Sequence, residues 1–242
     1  MMKKPVRKKS MLKLYSYFRS STAYRVRIGL HLKNLPFQTV PVNLLKGEQR
    51  SESFLKINPL GGVPALQDGD FIVTQSLAIL NYIDNIAPEP SLAPGDFHDQ
   101  AFARQVALAI ATDIHPLINL KAQKYLGEEF GADDAAKKDW YAHWTLSGLR
   151  AVEDMLRRYG KAGNFALGDD QPSVADLCII PQMYSLRRFN LPTDDFPLCC
   201  RIEKHCIAHA AFQKAAPETQ PDAPDDLPPI HGPDAPLLRE KT

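Results

Sequence analysis

The stretch FRSSTAYRVRIGL, residues 18–30, sets Arg19, Ser20, Ser21 and Thr22 directly ahead of a run in which apolar side chains mix with Arg25 and Arg27. Serine and threonine at a helix start accept hydrogen bonds from the free N–H groups of the first turn, so capping is the plain reading of these hydroxyls. A helix start also favours an anion placed against it, and a hydroxyl there has a proton to donate to that anion. Four other patterns carry residue types capable of chemistry. Gln75-Ser76 precedes an amphipathic run, with Ser76 in the position of a cap. Arg188 in LRRF sits beside Arg187, and paired surface arginines are ordinarily solvated. His115 and Asn119 in IHPLINL are four apart, which puts both on one face of a helix. His205, Cys206 and His209 form H-C-x-x-H, again with the two histidines at helical spacing, but no third ligand follows and no metal is expected.

These residues need elements to hold them. LKLYS (12–16) alternates apolar and polar residues and predicts a first strand. The hydroxyl cluster then opens a helix running to Asn34, with Ala23, Val26 and Leu30 inward. FQTVPVNL (37–44) is a second strand, residues 51–57 a short helix, and VPALQ and FIVTQ a hairpin turning at DGD. SLAILNYIDNIAP is an amphipathic helix stopped by Pro88. A proline-rich linker over 91–98 follows, and beyond it no strand pattern is found. Two long periodic stretches, 99–131 and 133–160, are each closed by glycine, and SVADLCIIPQMYSLRRFN and LCCRIEKHCIAHAAFQKAA add two more. SVAD (173–176) is a capping-box pattern, which assigns Asp176 a structural role. Trp140 and Trp144 at helical spacing read as packing. The domains expected are an α/β unit over 12–90 and an all-helical unit over 99–216, flanked by a basic tail (1–11) and an acidic, proline-rich tail (217–242), both solvated.

Composition narrows the function. The chain has 242 residues, 44% hydrophobic and 24% charged, as a folded globular protein does. A net charge of +1 gives no electrostatic case for nucleic acid or an acidic membrane surface. PLGG lacks the following Gly-Lys-Ser/Thr of a phosphate loop. No apolar run is long enough for export or for spanning a bilayer, so a cytoplasmic protein is expected. Cys178, Cys199, Cys200 and Cys206 all fall in the last third at spacings that suit neither a disulfide framework nor a metal knuckle.

Taken in order, YSYFRSSTAYRVRIGL, NPLGGVPAL, QSLAI and PSVADL with the following PQ and RRF resemble the zeta class of glutathione transferases, from about Leu12 to about Pro224. That class contains maleylacetoacetate isomerase and bacterial maleylpyruvate isomerases. The resemblance implies a thioredoxin-like N-terminal domain, an all-α C-terminal bundle, a two-fold homodimer, and glutathione as cofactor. One departure stands out: the usual Ser-Ser-Cys turn reads Ser20-Ser21-Thr22 here, as in some bacterial maleylpyruvate isomerases.

The implied reaction is cis–trans isomerisation of a maleyl keto acid during breakdown of aromatic compounds. A thiolate adds to the cis double bond, the bond rotates, and expulsion of sulfur restores it as trans. A free thiol titrates near about 8.5, so the protein must lower that value. By resemblance Ser20 activates the sulfur, with Ser21 and Thr22 supporting. A cis peptide before Pro64 would let the backbone of Val63 pair with the cysteinyl unit, Gln75 and Ser76 would receive the γ-glutamyl carboxylate, and Gln49 would lie at the glycine end. Arg188 matches the substrate-binding arginine, since guanidinium grips a carboxylate with two parallel hydrogen bonds. Arg19 is a second candidate, and His115 and Asn119 resemble residues that contact glutathione from the helical domain. Two other activities would use this fold: a conjugating or dehalogenating glutathione transferase, and a non-catalytic binding protein. Maleylacetoacetate and maleylpyruvate present similar carboxylates to the same arginines, and both stay open as substrates.

Overall fold

Alternation makes the first strand. In the computed structural model, which describes residues 10–230, β1 (Leu12–Ser16) turns Leu12, Leu14 and Ser16 inward while Lys13 is exposed. The basic run over 1–9 and residues 231–242 of the acidic tail lie outside the described residues. β1 pairs in parallel with β2 (Phe37–Pro41), and antiparallel with β3 (Ala65–Asp68), which forms a hairpin with β4 (Phe71–Thr74). The order is β2-β1-β3-β4, with Leu14 opposite Thr39 on one side and Leu66 on the other. Parallel pairing of β1 with β2 requires a crossover, supplied by α1 (Ser21–Leu32). A short α2 (Glu52–Leu55) follows β2, and α3 (Ser76–Ile86) packs with α1. Leu12, Leu14, Val26, Leu30, Leu66, Ile79 and Ile83 form the apolar core of this unit. This is the β-α-β-α-β-β-α order and thioredoxin-like fold expected.

Helix α1 departs from an ordinary amphipathic helix. Every residue from Ala23 to Leu30 is buried, Arg25 and Arg27 included. A buried cation needs partners. Arg25 donates from Nη1 to the Ser76 hydroxyl at 3.3 Å. Arg27 donates to the carbonyls of Phe18 (2.9 Å) and Ala215 (2.9 Å) and to the Ser16 hydroxyl (3.1 Å). Lys33, the C-cap, donates to Asp84 and to the carbonyls of Pro88 and Pro90.

The Ala215 contact overturns one expectation. Residues 214–225 belong to the same compact unit as residues 10–90, so the solvated tail does not begin at 217. Pro217–Thr219 form a 3-10 turn, Pro217 and Gln220 are buried, and the Gln220 amide donates to the carbonyls of Lys214 and Ala216. Asp222 accepts from the Phe18 N–H at 2.9 Å. The acidic side chains made this segment look solvated, yet one of them holds backbone.

The second unit, Ser91–Gln213 together with the irregular residues 226–230, is built from helices. It comprises α4 (Phe97–Leu108), α5 (His115–Ile118), α6 (Leu120–Phe130), α7 (Asp134–Tyr159), α8 (Val174–Arg188), α9 (Pro197–Cys206) and α10 (Ala210–Ala215), the last running across the unit boundary. Two expected single helices are broken. The stretch 99–131 passes through a π-helical segment, Ala109–Ile114, and restarts at Asn119. The π segment faces Gly148 of α7, where an added Cβ would stand 2.3 Å from Ile114 Cγ1. The last stretch breaks after Cys206, so His205 and His209 do not share a helix; His209 Nδ1 instead accepts from the Ala211 N–H. Trp140 and Trp144 meet edge to face, and the Trp140 indole donates to the Leu117 carbonyl.

Asp176 is structural as its spacing implied. Fully buried, it accepts from the N–H and hydroxyl of Ser173 and from the Ala166 N–H, at 2.7–2.8 Å. Burial pushes its carboxyl up to about 6 in spite of those donors. Glu153 of α7 caps α9 by accepting from the N–H groups of Leu198 and Cys199, and Arg187 pairs with Glu203 through both carboxylate oxygens.

Because Arg27 satisfies the carbonyls behind the Phe18-Arg19 turn, Arg27→Met leaves them buried without that donor. At roughly 1–3 kcal/mol for each orphaned acceptor, a loss of about 2–5 kcal/mol in unfolding free energy is expected. Urea unfolding checks this; a shift below about 0.5 kcal/mol would contradict the role assigned to Arg27.

Candidate active site

The chain leaves β1 at Ser16 and crosses Tyr17, Phe18 and Arg19 to reach Ser20. The Ser20 N–H donates to the Tyr17 carbonyl, closing the turn, and Ser20 is the extended N-cap of α1 (φ −71°, ψ 115°). Its Oγ accepts from the Ala23 N–H at 3.2 Å. Capping is therefore real, and it is not the whole function the geometry allows: a hydroxyl that accepts from the helix keeps its own proton. Thr22 Oγ lies 2.9 Å from Ser20 Oγ and donates to the Val63 carbonyl at 2.9 Å. The Val63-Pro64 peptide is cis, and Val63 immediately precedes the turn into β3. Ser20, Thr22 and Val63, the last 41 residues beyond Thr22, thus form one hydrogen-bonded set. Ser21 opens the first turn, where helical N–H groups lack intrahelical partners and carry about half a positive charge.

A second N-terminus lies in the same unit. Gln75, exposed, precedes Ser76 with φ 70° and ψ 119°, a conformation that side chains rarely adopt and that costs on the order of 1–3 kcal/mol. It redirects the chain from β4 into α3. Ser76 is buried, and its Oγ accepts from Arg25 Nη1 at 3.3 Å, which leaves the Ser76 proton for an external acceptor and sets a guanidinium behind it. Arg25 was missed by sequence reasoning. Its signal was an arginine flanked on both sides by apolar residues within one helix.

Gln49 lies in the 3-10 turn Glu48–Arg50; its amide N–H donates to the Leu44 carbonyl, and its Oε1 is buried without a hydrogen-bond partner. Gly61, at φ 58°, closes the next loop onto this turn: an added Cβ would stand 3.1 Å from the Gln49 carbonyl oxygen. Arg19 is half-buried, with its guanidinium carbon 5.0 Å above the Phe18 ring and its Nε buried without a hydrogen-bond partner.

The helical unit holds the remaining candidates. Arg188 ends α8, half-exposed, with its guanidinium carbon 4.5 Å over the Phe189 ring. Phe189 packs on Tyr141 at 3.9 Å, and burial raises the Tyr141 hydroxyl above its usual value while Arg188 acts to lower it. Tyr141 was not anticipated; in sequence it is one aromatic among several in α7. His115 begins α5 directly after the π segment. Asn119 does not share a helical face with it, because the helix breaks there: Asn119 is extended and caps α6, its Oδ1 accepting from the Ala122 N–H.

No sulfur of the chain itself is available as a nucleophile among these groups. The four cysteines are free and lie in the helical unit, and burial raises the thiols of Cys199, Cys200 and Cys206. Among the described residues, no group of His, Cys, Asp and Glu could hold a metal ion, and no helix is long and apolar enough to cross a membrane.

Comparison with known proteins places this geometry in context. Residues 10–85 match the N-terminal domain of glutathione S-transferases. A zeta-class glutathione S-transferase of Euphorbia esula is 44% identical over 216 residues, 89% of this chain and 94% of that protein. A bacterial zeta-class maleylpyruvate isomerase, solved in its holo form, superposes with a TM-score of 0.85 at 37% identity, covering 88% of this chain and all of that one. Maleylacetoacetate isomerase of Methylobacterium extorquens AM1, solved with malonate and glutathione, gives 0.84 at 37% identity, over 88% and 99%.

The Gln75 backbone supplies a test independent of any ligand. Gln75→Gly relieves the positive φ, and the relief, on the order of 1–3 kcal/mol, exceeds the backbone entropy glycine adds, roughly 1 kcal/mol. A melting temperature equal to or above the parent's is expected, and a clear fall would show that Gln75 is held by contacts that outweigh the strain.

Proposed function

The chain belongs to the zeta class of glutathione transferases, and on that premise we propose that it catalyses the glutathione-dependent cis–trans isomerisation of a maleyl keto acid, maleylacetoacetate or maleylpyruvate. The observation that carries the proposal is Ser20: a hydroxyl at the start of a twelve-residue helix, fixed by the Ala23 N–H and keeping its proton.

The residues present fit the tripeptide. Ser76, with Arg25 behind it, offers a hydroxyl proton and cationic support to the γ-glutamyl carboxylate, and Gln75 lies beside it. Val63 offers its backbone to the cysteinyl unit. Gln49, whose Oε1 is a buried acceptor without a partner, suits an amide N–H toward the glycine end. When bound, glutathione supplies a thiolate that adds to the double bond and leaves again, so that it is recovered unchanged.

The protein's part is electrostatic. The N-terminus of α1 holds partial positive charge against the sulfur, and the Ser20 hydroxyl donates to it; each unit by which the thiol titrates lower corresponds to about 1.36 kcal/mol in favour of the thiolate. Ser21 and Thr22 hold that turn. Arg188 grips a substrate carboxylate, its plane fixed by the Phe189 ring, with Arg19 as a second cation. His115 and Asn119 contact glutathione from the helical unit; the capping role of Asn119 leaves its amide N–H groups for that purpose. A homodimer acting in the cytoplasm completes the proposal, supported by family membership.

Maleylacetoacetate and maleylpyruvate assayed side by side, with and without glutathione, test this reading. Isomerisation of at least one, dependent on glutathione, is expected, with Arg188→Ala lowering kcat/KM about 10- to 100-fold through loss of charge-assisted hydrogen bonds. Turnover of neither substrate would refute the activity. Full isomerase activity in Arg188→Ala would remove the carboxylate grip from the proposal and leave the isomerisation standing.

A further inference from the structure

The proton count around Ser20 and Thr22 goes one step beyond the proposed function, on which it rests. A hydroxyl has one proton and two lone pairs. Thr22 spends its proton on the Val63 carbonyl at 2.9 Å. Only lone pairs of Thr22 then face Ser20, so in the 2.9 Å contact between the two oxygens the donor is Ser20. Its proton points along a chain running from Ser20 through Thr22 to Val63, away from any sulfur placed at the helix start.

Activation of a thiolate needs that proton turned outward. If Ser20 alone rotated, two oxygens 2.9 Å apart would face each other through lone pairs with no proton between them. That contact is repulsive unless Thr22 turns as well. We propose that Thr22 is a positioning residue whose hydroxyl reverses when glutathione binds, leaving the Val63 carbonyl and donating to Ser20, so that the Ser20 proton is aimed at the sulfur. No proton changes owner; two O–H bonds rotate.

The reversed arrangement saturates Ser20. Its oxygen accepts from Ala23 and from Thr22 while its proton serves the thiolate, and a donor that itself accepts hydrogen bonds is a stronger donor. The Val63 carbonyl is free to take a peptide N–H of the ligand in place of the Thr22 hydroxyl. Occupation of Val63 and acidity at Ser20 are thereby linked through one side chain, in the position where the usual motif has cysteine, a weaker donor.

The test follows the bound thiol directly. Glutathione is titrated on the intact protein by the ultraviolet absorbance of its thiolate, for the parent, Thr22→Val, Thr22→Ala and Thr22→Ser. Loss of the hydroxyl in Val or Ala is expected to raise the bound thiol's pKa by about half to one unit, roughly 3- to 10-fold less thiolate at fixed pH. Thr22→Ser, which keeps the hydroxyl, is expected to restore the parent value. The fall in kcat in Val and Ala should recover as pH rises, whereas a purely structural role for Thr22 would depress kcat equally at every pH. The Ala variant keeps the question open to measurement should Val fail to fold. A pKa unchanged or lower in the folded truncations, against a depressed value in the parent, overturns the reversal and leaves the proposed function standing. A parent that binds no glutathione, or binds it with the acidity of the free peptide, overturns both.

Discussion

The contact between the Ser20 oxygen and the Ala23 N–H is the one on which the N-terminal unit's chemistry depends. It fixes where α1 begins, and so where the partial positive charge of that helix is presented. A start displaced by one residue would bring a different side chain to the cap and turn Ser20 away. The contact is short of stabilisation on its own, since one cap contributes about 1 kcal/mol. What holds it in register is the burial of the helix behind it. From Ala23 to Leu30 no residue is free to face solvent, so α1 has a single rotational setting against the sheet and α3.

Buried charge does the rest of the positioning. Arg27 reaches back to the Phe18 carbonyl while Asp222 takes the Phe18 N–H, so the turn between β1 and Ser20 is held from both sides of one peptide-bearing residue. Arg25 lies under Ser76 at the start of the next helix. Two arginines spaced two apart on α1 therefore serve two different helix entries. In the helical unit the same device recurs: Asp176 ties the entry of α8 to Ala166, Glu153 caps α9, and Arg187 joins α8 to α9 through Glu203. Apart from Arg25, which donates to the Ser76 hydroxyl, each of these charged groups satisfies backbone or an opposite charge, which is the condition for burying it.

Much of this was readable from the residues. Alternation in LKLYS, the DGD turn and the hydroxyls before α1 gave the strands, the hairpin and the helix start, because each rests on local backbone preference. Asp176 was assigned to capping from spacing alone, and its three short bonds agree. Tertiary effects were less legible. Arg25, Arg27 and Lys33 look solvated in a sequence, and only their distant partners show otherwise. The π segment at Ala109–Ile114 does not disturb hydrophobic periodicity enough to be noticed, so the break at Asn119 was hidden. Residues 217–225 were misread for a similar reason: proline and aspartate signal exposure, and nothing local reveals that Phe18 needs an acceptor. At the site, Ser20 was visible as a cap; Ser76, read in the position of a cap, is instead the first residue of α3 behind the N-cap Gln75, and the link from Thr22 to Val63 required the fold.

The central claim is that the start of α1 with Ser20 stabilises a thiolate. The most direct measurement is the heat of glutathione binding at neutral pH in buffers of differing ionisation enthalpy, with S-methylglutathione as the reference. A free thiol is mostly protonated there, so ionisation on binding must release a proton to the buffer. Release of a substantial fraction of one proton with glutathione, and none with the methylated peptide, is the predicted result. Equal heats across buffers for both ligands would contradict it.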